Sequence, residues 1–466
     1  MQAVSHAENP LGTAPIPQLL RKFAIPSIIA MLVSAAYNIV DQFFIGQSIG
    51  ELGNAATNIA FPLSNACTAI ALLLGIGASA AFNLSMGRGE RKKAGHFVGT
   101  AITLLLGGGV LLMALSLAFL RPLITLLGAA GDVLPFAETY VGITAIGFPF
   151  LVFSIGAAHL IRADGRPTMS MLCNILGAVV NTVLDAWFVF TAPDKMSAMA
   201  GAAWATVIGQ IASATLGAIC LLRFRTVKLE AAHFVPKPRY IGTVTSLGMA
   251  SFFNQLAIMV VQIVLNNTLT HYGALSEYGA DIPLACAGII MKVCQLLFGI
   301  VIGMSQAMQP IVSFNYGAQQ YARVRKTYRL ACLCGLIVSV VACALFFLFP
   351  RQIVSLFSAG DESEMYYLFA ERYFRIYLFF TFINFVQPIS STFFTAIGKA
   401  VKGTFLSLTR QILFFLPLLI VFPLLFGIDG VMYTAPVADF LALTCAAIMM
   451  LFEWRDMRRK EAALQP

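Results

Sequence analysis

The stretch LLLGGGVLLMALSLAFL, residues 104–120, decides the fold class. It runs for seventeen residues without a charge or an alternating polar position. A membrane β-strand would alternate over about 10 residues, so a continuous run of this kind points to a helix. At 1.5 Å rise per residue, about 20 apolar residues cross the roughly 30 Å of hydrocarbon in a bilayer. Comparable runs recur along all 466 residues, of which 59% are hydrophobic and only 11% charged. A soluble chain needs about twice that share of charge to cover itself. The expected class is an all-α polytopic membrane protein.

Apolar stretches separated by turn and charge clusters predict twelve spans, near 18–46, 56–86, 95–120, 133–160, 168–191, 200–222, 241–270, 283–315, 328–349, 366–397, 404–426 and 430–452. Alternate connections differ sharply in charge. One set holds Arg21, Lys22, Arg88, Arg91, Lys92, Lys93, Arg162, Arg166, Arg223, Arg225, Lys228, Lys237, Arg239, Arg323, Arg325, Lys326, Arg329, Lys399, Lys402, Arg455, Arg458, Arg459 and Lys460; the other holds Arg121, Lys195 and Arg351. Twenty-three against three places both termini in the cytoplasm by the positive-inside rule. The same dispersal explains the formal charge of +9 without nucleic acid, which would call for a single basic stripe.

The chain repeats itself. GIGASAAFNLSMGRGERKKAGH (75–96) is echoed by GMSQAMQPIVSFNYGAQQYARVRK (303–326), with Gly87 opposite Gly317. IRADGRPTMSMLCNI (161–175) is echoed by FTAIGKAVKGTFLSL (394–408), with Gly165 opposite Gly398. Two halves of six spans enter the membrane from the same side, which predicts two lobes related by a pseudo-two-fold axis along the membrane normal. The expected division is a tail (1–20), a first lobe (21–222), a linker (223–240), a second lobe (241–452) and a tail (453–466). The first 20 residues lack the basic start and short apolar core of a signal peptide.

Few ionisable groups fall within the spans, and each is a functional candidate because an unpaired intramembrane charge is costly. Asp41 and Asp185 are the deepest acids of the first lobe, about 28 Å from Lys22 and about 26 Å from Thr168 along their helices. Asn181 precedes Asp185 by one helical turn and shares its face. These oxygens suit a proton or a sodium ion, and no other metal or cofactor is expected. Pro26 removes a backbone hydrogen bond from the first span and would let it bend. Extending the repeat sets NIVD (38–41) against QIVL (262–265), so Leu265 stands where the first lobe has Asp41 and ion chemistry is expected in the first lobe alone. Lys292 and Asp439 are expected to face a cavity from the second lobe or to pair with each other, with Arg410 nearer a span end. The nine cysteines include no CxxC pair and read as small core residues. The five histidines lack any nucleophile-base or HExxH spacing, so no enzyme is expected.

Taken together, YNIVDQFFIGQSIG (37–50), RADGRPTMSMLCNILGAVVNTVLDAWFVF (162–190), GAAWATVIGQ (201–210) and QPIVSFNYGAQ (309–319) resemble the multidrug and toxic compound extrusion (MATE) transporters, closest to their DinF-like and MepA-like bacterial branch. The resemblance covers nearly the whole chain. It implies export of bulky lipophilic or cationic drugs by proton or sodium antiport, through two lobes that alternate access, in a monomer of the bacterial inner membrane. It carries onto Pro26 and Asp41 in the first span, Asn181 and Asp185 in the fifth, and Thr206 in the sixth as the cation site. Ala186 stands where the family often has proline, and the second-lobe acids of the NorM-like branch have no match. The rival within the same superfamily is a lipid-linked sugar flippase. That would carry more spans and several cavity cations, whereas Lys292 is the one deep cation apparent from the sequence.

Overall fold

A computed structural model describes residues 9–279, 281–355 and 364–464. Among these residues there is no strand, and twelve helices are long and apolar enough to cross a bilayer: α1 Ile16–Ser48, α2 Glu51–Gly87, α3 Arg91–Ala118, α4 Val133–Ala163, α5 Pro167–Thr191, α6 Lys195–Leu222, α7 Pro238–Ala274, α8 Asp281–Gly317, α9 Tyr321–Leu348, α10 Glu364–Ala396, α11 Ala400–Phe426 and α12 Ile428–Ala462. Hydrocarbon offers no partner to a peptide group, so each crossing segment closes its hydrogen bonds on itself. Helix starts use local chemistry where water is available. At the head of α6 the Asp194 carboxylate accepts from the backbone of Met196 at 3.0 Å and Ser197 at 3.1 Å, and its bonds from Ser197 hold it below the ordinary carboxylate range.

The internal repeat is built into the helix boundaries. Glu51 to Asp281 and Gly87 to Gly317 are both offsets of 230, as are Arg91 to Tyr321 and Ala118 to Leu348; Pro167 to Ala400 and Lys195 to Ile428 are both 233. The paired glycines have separate reasons. Gly165 and Gly398 take φ of +81° and +83° in the turns that lead into α5 and α11, where a side chain would strain the backbone. Gly87 and Gly317 sit against each other where α2 meets α8: a Cβ on Gly87 would lie 2.1 Å from the Phe314 carbonyl oxygen, and one on Gly317 2.3 Å from that of Leu84.

The two lobes are therefore joined by close helix approach, the mode open to helices in lipid. α2 packs on α7, where a Cβ on Gly248 would collide with the Leu73 carbonyl; α8 packs on α1, where a Cβ on Gly303 would lie 2.8 Å from Ile28 Cα. Asn65 and the Gln255 side chain hydrogen-bond across the same seam. The Asn65–Gln255 bond lies near the middle of α2 and α7, and the glycine contacts lie in the half of the bundle that carries the basic loops. There the segment before α1 crosses to the second lobe. Asn315 Nδ2 donates to the Leu11 carbonyl at 2.9 Å and Arg323 donates to the Ala14 carbonyl at 2.7 Å, so residues expected as tail are docked from Asn9 onward.

The other two connecting regions are also more ordered than their composition suggests. Asp164 accepts from the backbone of Arg225 and Thr226, from the Thr226 hydroxyl at 2.7 Å and from Arg166 at 2.8 Å, and Thr103 donates to the Phe234 carbonyl. The 223–240 connection is thus fastened to the first lobe. At the C-terminus α12 continues to Ala462, because buried Glu453 is paired with Lys399 at 2.6 Å and Lys402 at 3.2 Å, and Glu461 with Arg325 at 2.6 Å.

Replacing Gly87 by valine forces the α2–α8 backbones apart. We expect it to destabilise the purified protein by about 2 kcal/mol or more, seen as a lower Tm in detergent, whereas Gly107→Ala, with open space around it, leaves Tm unchanged.

Candidate functional site

The first lobe brings the sequence candidates together from three helices. α5 packs on both α1 and α6. Asp185 lies on the face of α5 that also buries Asn181 and Val189, and it is wholly inaccessible. Asn181 Nδ2 donates to Thr206 Oγ1 of α6 at 3.2 Å, and that hydroxyl donates to the Ala202 carbonyl at 3.1 Å. Thr206 is thereby held with a lone pair toward the Asn181 amide.

Four buried oxygens converge without a hydrogen-bond partner: Asp41 Oδ1, Asn181 Oδ1, and both Asp185 oxygens. Asp41 and Asp185 interact electrostatically, and so do Tyr37 of α1 and Tyr140 of α4 with both acids; Tyr140 also contacts the Thr206 side chain. Sequence reasoning did not select the two tyrosines. Tyr37 precedes Asp41 by one turn, so helical spacing alone could have found it. Tyr140 comes from a separate helix, and nothing in its local sequence marks it.

Two carboxylates in electrostatic range inside low dielectric repel when both are ionised. A proton or a small monovalent cation between them removes that repulsion and gives the orphaned oxygens a partner. Four side-chain types contribute: carboxylates supply charge, and amide, hydroxyl and phenol supply neutral oxygen. Among the described residues no three His, Cys, Asp or Glu side chains form a group that would hold a metal by their own number, so any ion here relies on this mixed set.

Pro26 lies within α1, which is an unbroken helix from Ile16 to Ser48 in this state. Two residues on, Ile28 forms the α1 side of the seam with Gly303. The proline therefore weakens α1 beside the joint between the lobes, on the basic side of the acid.

The second-lobe candidates separate. Lys292 is exposed on α8, on the stripe Lys292, Gln295, Gly299, Gly303 whose last two members face Met31 and Ile28 of α1. It stands two turns from Gly299 on the α8 face that meets α1. Asp439 does not share that face and does not pair with Lys292. It is buried inside the second lobe, where Arg410 Nε of α11 donates to its Oδ1 at 2.6 Å and the Asn384 side chain also bonds it. Arg410, expected nearer a span end, is drawn inward by this carboxylate.

Twelve membrane-crossing helices in two joined lobes, one of them holding a buried carboxylate pair, define an integral membrane protein of the transporter class, as its family and relatives show. The family model MatE matches residues 26–187 and again 250–421, so the chain belongs to that family, and the double match repeats the two-lobe division. Its curated relatives include the multidrug export protein MepA of Staphylococcus aureus (strain MSSA476), 22% identical over 445 residues and covering 95% of each chain. MepA of Staphylococcus haemolyticus (strain JCSC1435) is 22% identical over 443 residues, 94% of this chain and 93% of its own. Among solved structures, a MATE in complex with MaL6 aligns with TM-score 0.88 at 21% identity, over 97% of this chain and 99% of that one. The outward-facing conformation of a multidrug resistance MATE transporter of the MOP superfamily aligns with TM-score 0.85 at 22% identity, over 98% of this chain and 99% of that one.

Thr206→Val removes the hydroxyl that accepts from Asn181 and leaves a buried amide donor unpaired. A loss of about 1–3 kcal/mol is expected from thermal unfolding in detergent, with Thr206→Ser close to the unmodified protein.

Proposed function

We propose that this protein is a secondary active multidrug exporter that exchanges bulky lipophilic or cationic compounds for protons or sodium ions by alternating access. The observation that carries this reading is the buried, unpartnered carboxylate of Asp185 beside Asp41 and the orphaned Asn181 oxygen. A fixed structural acid at such depth would be given a partner; one that must release and recapture a cation cannot keep one. Asp41, Asn181, Asp185 and Thr206 form the ion site, with Tyr37 and Tyr140 completing its walls, and Pro26 lets α1 bend when the charge changes. Lys292 faces the drug path between the lobes.

Coupling follows from differential affinity: the ion favours one arrangement of the lobes and the drug the other. The glycine contacts between the lobes lie in the basic half of the bundle, so with that end in the cytoplasm, as the charge asymmetry favours, the space between the lobes opens outward. On this reading the termini are cytoplasmic, the lobes span 21–222 and 241–452 about the 223–240 connection, and a monomer in the bacterial inner membrane suffices. The MepA relatives and the multidrug resistance MATE structure support drugs as cargo through the export function that their names carry.

The test is efflux of ethidium from proteoliposomes under an imposed proton gradient or an imposed sodium gradient. Transport driven by one gradient, and reduced at least tenfold in both Asp41→Asn and Asp185→Asn with Tm retained, is the expected result. Normal gradient-driven efflux by Asp185→Asn would sink the mechanism. Movement of an anionic lipid in place of the drug by the unmodified protein would turn the reading to a flippase.

A further inference from the structure

The two lobes share one backbone plan, which allows a residue-by-residue comparison of their interiors. Along α1 and α7 an offset of 224 superposes buried positions: Leu20 on Val244, Phe23 on Leu247, Pro26 on Ala250, Ile45 on Leu269. Along α6 and α12 the offset is 233, pairing buried Ala198, Ala202, Gly209 and Gly217 with Val431, Ala435, Ala442 and Met450. α5 and α11 begin at 233, pairing Ser170 with Gly403 and Cys173 with Leu406, then shift to 234, pairing Asn181, Asp185 and Val189 with Phe415, Leu419 and Pro423.

The extra residue of α11 is taken up by a π-helical segment, Thr409–Phe415, just before Pro417. Proline has no N–H to return to the carbonyl four residues back, and one wide turn absorbs both the missing bond and the inserted residue. At that turn stands Arg410. Its counterpart by the 233 register is Gly177, where α5 and α6 approach so closely that a Cβ would lie 3.0 Å from Ser213 Cβ. The first lobe has no room for a side chain here. The second lobe opens a wide turn and inserts a cation.

By the same registers, Asp41 becomes Leu265, Asn181 becomes Phe415, Asp185 becomes Leu419, and Thr206 becomes Asp439. The second lobe thus replaces the first lobe's acids with hydrocarbon and its site hydroxyl with a carboxylate. That carboxylate faces Arg410, Asn384, Tyr377 and Cys294, and the guanidinium lies 5.8 Å from the Phe298 ring and 6.0 Å from that of Phe415. The Asp439 carboxylate is buried, and the guanidinium is flanked by aromatic rings.

We propose that Arg410 is a tethered counter-cation, filling in the second lobe the place that an exchangeable cation takes in the first, and that Asp439 is a latent site for a proton or sodium ion. This rests on the first-lobe exchange reading above. A covalently attached cation cannot dissociate, so the Arg410–Asp439 pair stays neutral through the cycle and ion exchange is confined to one lobe. Asymmetry of coupling is then a property of one arginine.

The test counts exchangeable cations on the purified full chain, by 22Na+ binding and by proton titration in weakly buffered detergent, beside ethidium efflux. Arg410→Met is expected to bind one more sodium ion or proton per chain than the unmodified protein, and Arg410→Met with Asp439→Asn to lose that extra ion. Arg410→Met with Asp439→Leu, an apolar pair of similar volume, should fold, transport and bind the unmodified number of ions. A folded Arg410→Met with no additional ion overturns the proposal. If Arg410→Met alone does not fold, the Met–Leu pair decides: efflux within threefold of the unmodified protein supports a purely neutralising role, and failure to fold or transport overturns it. Asp185→Asn in the same assay reports separately on the first lobe, since its ion count must fall whatever Arg410 does; an unchanged count there refutes the exchange reading and not the latent site.

Discussion

Hydrocarbon supplies neither hydrogen bonds nor counter-ions, and most features of this protein follow from that one deprivation. It makes every crossing segment helical, since only a helix closes its peptide groups within itself. It also removes the usual hydrophobic incentive for helices to associate, because a lipid tail is as apolar as leucine. What remains is close contact, and the seam between the lobes is accordingly drawn at glycines: Gly87 on Gly317, Gly248 on Leu73, Gly303 on Ile28. These positions join the lobes over close backbone contacts, with the Asn65 and Gln255 side chains bonding across the same seam.

The same deprivation ranks the buried charges. Asp439 and Glu453 are both nearly inaccessible, and both are paired with cations on neighbouring helices. Asp164 collects backbone and side-chain donors and serves to fasten a connection. Asp185, with neither oxygen bonded, and Asp41, with its Oδ1 unbonded, are the exceptions. Unpaired carboxylates among well-paired ones are a local violation of the rules that govern the rest of the molecule, and such violations mark places where function outweighs stability.

Similar fold does not dictate cargo. Cargo is decided by this chain's own side chains, the first-lobe cluster and exposed Lys292 among them, more than by its outline. The asymmetry between lobes sharpens that point, because one backbone plan holds four polar oxygens in one lobe and a closed ion pair in the other.

Much of this was legible in the chain itself. Long uncharged runs such as 104–120 dictate helices in lipid, and the glycine echoes at Gly87 and Gly165 announce the repeat because those positions have no tolerable substitute: one is a backbone contact, the other a left-handed turn. Asp41, Asn181 and Asp185 could be named because depth in the membrane and one-turn spacing are properties of a single helix. Partnership between helices is not such a property. The sequence could not tell that Asp439 binds Arg410 instead of Lys292, that Tyr140 closes the site from α4, that residues from Asn9 cross to the other lobe, or that Glu453 carries α12 beyond the membrane. Each of those depends on which helix faces which across a few ångströms, and only the packed tertiary structure decides that.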